Sequence, residues 1–372
     1  MRSKRRTREP HQRYWGIDKN LIHLVSILVL GIAILIGLRY MNNSKLPATP
    51  KAPPPRQPTK LSKKLWEVFG SPRGKGLKAT QNILAGQMIL LEKPIIKLPS
   101  EPDRSAQAQL LFEKLSSLSD ADRAEYFSLW NTVTGFPEDI SQEQRLRGLA
   151  LNIFESNAIR GSDRSAAVYK NAARINHSCR PNAVYHYRSD LGVLTIQAVE
   201  DIPTGEEILA PYFDASVRTR EDRQKYLREA YSFDCQCEIC SGNEAKVDES
   251  DRRRARLSNL TSVLVSWSDE KAEPEDAIAA IEEALRLLQE ENYHASVGVW
   301  MANAATISAA HQDQDGVKHW ARRAALQYII ETGRDSPEVA AMATILKEPN
   351  RTMSWGQRDA RKLNIAEPMS PI

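Results

Sequence analysis

Cys235, Cys237 and Cys240 fall in one octapeptide, FDCQCEIC, as Cys-x-Cys-x-x-Cys. Three thiols within six residues are too tightly spaced for easy disulfide geometry among themselves, but the spacing suits three thiolates wrapped around one tetrahedral Zn²⁺. One corner of that tetrahedron stays open, and the chain has one further cysteine, Cys179, far upstream. A Cys₄ structural zinc site uses all four and predicts a reducing compartment. Two disulfides in a secreted chain are the alternative arithmetic. If one ion is shared, the segments around 179 and 235–240 must meet in space, which restricts the fold more than any other feature.

The 372 residues are enough for two domains, and 41% apolar with 26% charged side chains is ordinary for a globular protein. The net charge of +4 is uneven: residues 1–20 hold seven Lys/Arg against Glu9 and Asp18, so the rest is close to neutral. The basicity belongs to a tail, and no direct nucleic-acid binding is expected of the body.

Residues 21–38, LIHLVSILVLGIAILIGL, carry no Lys, Arg, Asp or Glu. At about 1.5 Å per residue such a helix crosses one hydrocarbon core. The segment 21–41 is therefore expected to be a transmembrane helix, with a cleaved signal peptide as the rival. Basic residues flanking the segment favour the N-terminus inside, whereas reduced thiols favour a body facing cytosol or nucleoplasm. The expectation is a single-pass membrane protein with the body on that side. Residues 42–64 contain six prolines and predict an extended spacer.

Folded structure is expected from Leu65. Residues 65–99 read as strands and turns, with SPRGKGLKAT as turn-rich and MILL as a short buried strand. Ser119 with Asp122 reads as a helix-capping pair. Leu146, Leu149, Ala150, Ile153, Phe154 and Asn157 recur at helical spacing, which places Asn157 on a buried face as a core amide or a ligand contact. Residues 182–188 and 193–199 predict a hairpin across SDLG, with Leu194, Ile196 and Ala198 on one face. Amphipathic helices over 243–349 predict either a bracing bundle or a tetratricopeptide-like array with a peptide-binding groove, followed by a polar tail, 350–372.

In order along the chain come RGKGL, RINHSCRPN, TGEEILAPYFD and YSFDCQCEIC. This series resembles the SET-domain protein methyltransferases. More narrowly it is similar to the fungal SET proteins and the SET-and-MYND group, without the MYND finger, for which no cysteines remain. The resemblance implies an α+β fold: a SET-domain β-fold with pseudoknot over 65–242, a helical insert at about 101–160, a zinc-bound post-SET motif at 231–242, and an all-α C-terminal domain.

The function implied is S-adenosylmethionine-dependent methylation of a lysine in a protein or peptide partner, histone or non-histone. A catalytically weak scaffold binding peptides through its helical domain is the alternative. The resemblance assigns Tyr212 as the catalytic residue and as a cofactor contact. It adds Gly74, Lys75, Gly76, Asn157, Asn176, His177 and Phe233 as cofactor-binding residues and Tyr231 as a wall of the lysine channel. Glycines at 74 and 76 would let backbone approach the cofactor where a side chain would clash. The zinc ligands are Cys179, Cys235, Cys237 and Cys240. The metal would hold the Phe233 segment over the cofactor and do no chemistry.

Overall fold

A computed structural model describes residues 64–71, 74–99 and 103–363. The expected basic tail (1–20), transmembrane helix (21–41) and nearly all of the spacer (42–64) lie outside the described residues. One expectation is corrected here. Among the described residues no helix is long and apolar enough to cross a membrane, so the reading as a single-pass membrane protein is not carried further.

Three small sheets make the β body. Strand β1 (Trp66–Ser71) pairs antiparallel with β2 (Gly74–Ala79), Trp66 opposite Ala79 and Ser71 opposite Gly74. GKGLKA, expected within a turn-rich stretch, is thus strand. Gly74 has φ +99°, the left-handed region that favours glycine, just where the chain reverses. Strand β3 (Met88–Glu92) and strand β4 (Ile96–Pro99) follow.

The insert then contributes helix α1 (Arg104–Ser116), α2 (Asp120–Phe127) and α3 (Gln142–Asn157). Their starts are encoded locally. Ser119 caps α2 and accepts from Asp122 N at 3.1 Å, as the sequence predicts. Ser141 and Gln144 form a reciprocal capping box on α3. Ala150, Ile153 and Phe154 pack with Leu98, Leu111, Tyr126 and Val168 in a core of their own. Leu146 is exposed instead, one turn nearer the helix start.

Strand β5 (Ile159–Arg160) and strand β6 (Ser165–Val168) join β4 in a three-stranded sheet. Strand β7 (Asn176–His177) follows. Strands β8 (Ala183–Arg188) and β9 (Val193–Ala198) form the expected hairpin, Arg188 opposite Val193, and β3 completes that sheet. Leu194, Ile196 and Ala198 share a core with Leu77, Ile89 and Ile208. The whole of β9 is buried, because helices cover its other face.

Strand β10 (Glu207–Ala210) lies between β2, to which it is antiparallel, and β7, to which it is parallel. Leu209 faces Asn176 and Ala210 faces His177. This pairing sets the end of TGEEILA beside the start of NHSC. Helix α4 (Arg220–Tyr231) is capped by Thr219 and ends on Ser232 in the left-handed region, which turns the chain sharply into Phe233. A single-turn helix α5 (Glu238–Ser241) begins just after Cys237.

Helices α6 (Glu244–Ser268), α7 (Pro274–Glu290), α8 (Val297–Ala310), α9 (Gln314–Glu331) and α10 (Pro337–Lys347) form the all-α C-terminal region. Their core, with Trp267, Ile281, Leu285, Ala304 and Trp320, also takes in Val184 and Val199 of the β body, so the two regions share one interior. The ion pair Arg188–Asp335 at 3.2 Å and the hydrogen bond between His186 Nε2 and Glu338 Oε1 at 3.1 Å tie β8 to the segment around the start of α10. The polar tail expected from residue 350 is packed as far as Leu363: Arg358 donates to the Trp267 carbonyl at 2.7 Å, and Leu363 is buried.

Candidate functional site

A cavity of about 1390 Å³ opens between the β body, the insert and the segment 231–236. Gly74, Lys75, Asn157, Asn176, His177, Tyr212, Tyr231 and Phe233 all line it, as do Trp130, Arg160 and Arg218 of three further segments. It is large enough for a nucleoside-sized ligand together with a side chain. Gly76 does not line it. A Cβ there would meet Glu207 Oε1 at 2.7 Å, Phe69 Cε1 at 2.8 Å and Asn176 Nδ2 at 3.0 Å, so Gly76 makes room for the residues that position Asn176.

Asn176 is held at that place by an acid: its Nδ2 donates to Glu207 Oε1 at 2.7 Å. Asn182 staples the following loop to β10, accepting from Leu209 N at 2.8 Å and donating to Glu207 O at 2.9 Å. Asn157 is buried, and its Nδ2 donates to the carbonyls of Trp130 and Ile153, both at 2.7 Å. Its amide thus anchors the insert's last helix to the Trp130 loop at the cavity wall.

Tyr212 follows Pro211, whose fixed φ is tolerated because Ala210 before it is already in a strand. The Tyr212 hydroxyl donates to Ile175 O at 2.9 Å, and its backbone N–H donates to His177 Nδ1 at 3.1 Å. An Nδ1 that accepts leaves the ring proton on Nε2, which lies 3.3 Å from Cys179 Sγ. The imidazole therefore links the Tyr212 backbone to the cysteine cluster. The sequence resemblance gave His177 as a cofactor contact, and its one signal for this link was the i, i+2 spacing of His177 and Cys179.

The Tyr231 ring centroid lies 4.9 Å from that of Tyr212, and Tyr226 continues the row 6.2 Å beyond Tyr231. Burial pushes the phenols of Tyr185, Tyr226 and Tyr231 up, so each is an uncharged hydroxyl at neutral pH. Tyr226 and Tyr185 were not singled out by the sequence, where a tyrosine in a helix or strand carries no mark of its function.

The four cysteines are free of disulfides, buried, and have sulfurs all within 4.8 Å of one another. Cys179 Sγ is 3.6 Å from Cys240 Sγ and 4.0 Å from Cys235 Sγ. The edge of a tetrahedron with metal–sulfur bonds of about 2.3 Å is about 3.8 Å, so the donor set fits Zn²⁺. Contacts with the other three sulfurs push the Cys179 thiol far up and pull Cys237 far down, as expected of thiols too close to ionise together without a cation.

The surroundings also suit a dianionic tetrathiolate. Arg223 and Arg254 are both fully buried. Arg223 approaches Cys240 Sγ at 3.7 Å and donates to Arg218 O at 2.6 Å. Arg254, from α6, donates to Ala215 O at 2.6 Å and approaches Cys179 O at 3.4 Å. Gln224 clamps Cys235 from both sides, donating to its carbonyl at 2.7 Å and accepting its N–H at 2.8 Å.

A β body of three small sheets, with an insert, a thiol cluster and a parallel β7–β10 pair at one cavity, defines the class, and sequence comparison names it. The SET domain family matches residues 74–213. The chain is 26% identical over 288 residues to the histone-lysine N-methyltransferase set5 of Schizosaccharomyces pombe, spanning 77% of this chain and 84% of that one. It is 30% identical over 176 residues to the human N-lysine methyltransferase SMYD2, spanning 46% of this chain and 40% of the relative. Among solved structures, the SET domain of LSMT bound to lysine and AdoHcy aligns over 88% of this chain at 12% identity with a TM-score of 0.36, too loose a likeness to carry argument. The chain carries a SET domain and is homologous to the Set5 and SMYD2 lysine methyltransferases.

Proposed function

We propose that this protein is an S-adenosylmethionine-dependent protein-lysine N-methyltransferase with a structural zinc site. The observation that carries the reading is that Asn176, His177, Tyr212 and Phe233, from three separate segments, line one cavity beside the thiol cluster. Homology to Set5 and SMYD2 supports the same reaction class.

Bound S-adenosylmethionine would supply an electrophilic methyl on a sulfonium. Gly74, Lys75, Asn176, His177 and Phe233 would hold it, with Asn157 at the same wall. Lysine's ordinary pKa is about 10.4, so the substrate must give up a proton before its nitrogen can act as a nucleophile. The cavity's lining carries four cationic side chains against two acidic ones, which favours the neutral amine. Tyr212 donates its hydroxyl proton to Ile175 O, leaving the oxygen's lone pairs to accept an N–H from an entering amine. Tyr231 and the partly buried Tyr185 wall the approach, and fixed geometry supplies the remaining acceleration.

Zn²⁺ held by Cys179, Cys235, Cys237 and Cys240 would fix the Phe233 segment against His177, whose ring centroid is 6.5 Å from that of Phe233. The test is labelled-methyl transfer into lysate protein by the wild type and by Tyr212→Phe, with cofactor binding followed by calorimetry. We expect transfer to fall at least about 100-fold in the variant while binding persists. Methyl transfer undiminished in Tyr212→Phe would remove Tyr212 from the chemistry.

A further inference from the structure

We propose that Arg160 and Arg218 read the residues flanking the acceptor lysine, and that the substrate class is a lysine set in an acidic segment. The proposal rests on the methyltransferase reading above. It starts from the row of rings that leaves Tyr212. Tyr231 lies 4.9 Å from Tyr212 and Tyr226 lies 6.2 Å from Tyr231, centroid to centroid. The Arg218 guanidinium stands 5.6 Å from the Tyr226 centroid and 5.6 Å from that of Phe213.

Arg160, on β5, is exposed, lines the same cavity, and its charge acts on both Tyr226 and Tyr231. Arg218 thus stands at the Tyr226 end of the row and beside Phe213, and Arg160 shares the cavity wall with that row. An extended peptide advances about 3.4 Å per residue. With its lysine side chain at Tyr212, residues within two or three positions of that lysine would reach the arginines.

What these two cations lack is an anion. Among the described residues neither makes an ion pair with a carboxylate. The acidic side chains of the cavity wall are already engaged: Asp214 accepts from Ser216 N at 3.0 Å and from its Oγ at 2.6 Å, and Asp234 pairs with Arg228 at 3.1 Å. Arg174, also on the wall, is paired with Glu125 at 2.6 Å. Two guanidinium groups without an ion-pair partner among the described residues, Arg218 standing 5.6 Å from the Phe213 and Tyr226 centroids, each offer five donors to glutamate or aspartate. They repel an arginine- or lysine-rich flank.

The test uses the full chain, S-adenosylmethionine and three peptides of equal length, each with one central lysine flanked by glutamates, serines or arginines. The glutamate peptide should show a KM at least about tenfold below the serine peptide, with the arginine peptide weaker still. The gap should close between about 50 and about 500 mM salt. The double variant Arg160→Glu/Arg218→Glu should reverse the ranking, whereas a misfolded variant would lose all three peptides alike. Equal KM values for the three peptides on the wild type would overturn this proposal and leave the methyltransferase reading standing. Methyl transfer to no peptide and no lysate protein, from a protein that binds the cofactor, would overturn both.

Discussion

The backbone N–H of Tyr212 is held by the imidazole of His177 at 3.1 Å, and the far side of that ring lies 3.3 Å from Cys179 Sγ. One side chain thus joins the residue proposed for catalysis to a proposed metal ligand. Replacing His177 with Ala leaves the Tyr212 N–H without that acceptor. A hydrogen bond of this kind contributes about 1 to 1.5 kcal/mol, so kcat should fall roughly tenfold. KM for the lysine peptide should change less, since the bond lost is one to the Tyr212 backbone. Steady-state kinetics separates the two, and an unchanged kcat would show that the ring does not position Tyr212.

Cys179 and the three cysteines of FDCQCEIC have sulfurs within 4.8 Å of one another and are not joined by disulfides. Cys179→Ser should therefore lose zinc and, with it, the placement of Phe233 beside His177. Atomic absorption on the purified protein, followed by calorimetry with the cofactor, should show metal and cofactor affinity lost together. Stripping the wild type with a strong chelator should give the same result. Full cofactor affinity in metal-free protein would separate the thiol cluster from the cavity.

Arg254 ties the helical region to that cluster. Its Nε donates to Glu291 Oε2 at 2.8 Å, while the opposite end meets Ala215 O and Cys179 O. Arg253 also holds Glu291, at 2.6 Å. Arg254→Gln removes one charge from a buried network and should cost about 3 to 5 kcal/mol in stability. Because the lost charge lies beside the thiol cluster, any zinc held there should also leave faster. Denaturant unfolding and chelator competition with a chromogenic indicator measure the two effects. A variant equally destabilised but with unaltered zinc release would confine Arg254 to domain packing.

Glu331 supplies a pH dependence with a definite sign. It is buried, accepts from Val297 N at 2.7 Å and Gly298 N at 3.0 Å, and receives Gln327 Nε2 at 3.0 Å, with Glu338, Tyr328 and Tyr293 also facing it. Burial raises its carboxyl from the usual 4.5 to about 7. Between those values the folded chain keeps a proton that the unfolded chain has released, so this contribution to stability falls as pH rises from about 4.5 to about 7 and is level above. The span is at most about 3 kcal/mol. Glu331→Gln should flatten the slope and be the more stable protein at pH 8, as urea unfolding at a series of pH values will show. An unchanged slope would place the dependence elsewhere.

Much of this was legible from local patterns. Ser119 and Asp122 announce a helix start, because capping is satisfied within four residues. The alternation at Leu194, Ile196 and Ala198 announces a strand face, because side chains on a strand repeat every two residues. The cysteine spacing pointed to a shared thiol cluster, and the four sulfurs do lie within 4.8 Å of one another. The run 21–38, 18 residues without Lys, Arg, Asp or Glu, met the length rule for a membrane span and lies outside the described residues. Among the described residues no helix meets the rule.

By itself, then, the sequence determined what depends on neighbours in the chain: element starts, the strand periodicity, and the thiol ligand set. Contacts between distant segments were decided only in three dimensions. Nothing local in RGKGL says that Gly76 is small because Glu207 and Asn176 meet beside it, or that Asn157 anchors the Trp130 loop. The same holds for Arg160 and Arg218, each an ordinary surface cation along the chain. They become neighbours of one aromatic row because a parallel strand pair and a shared thiol cluster draw segments more than 30 residues apart to one cavity. Contacts of that separation depend on the closure of the whole fold, which no window of sequence contains.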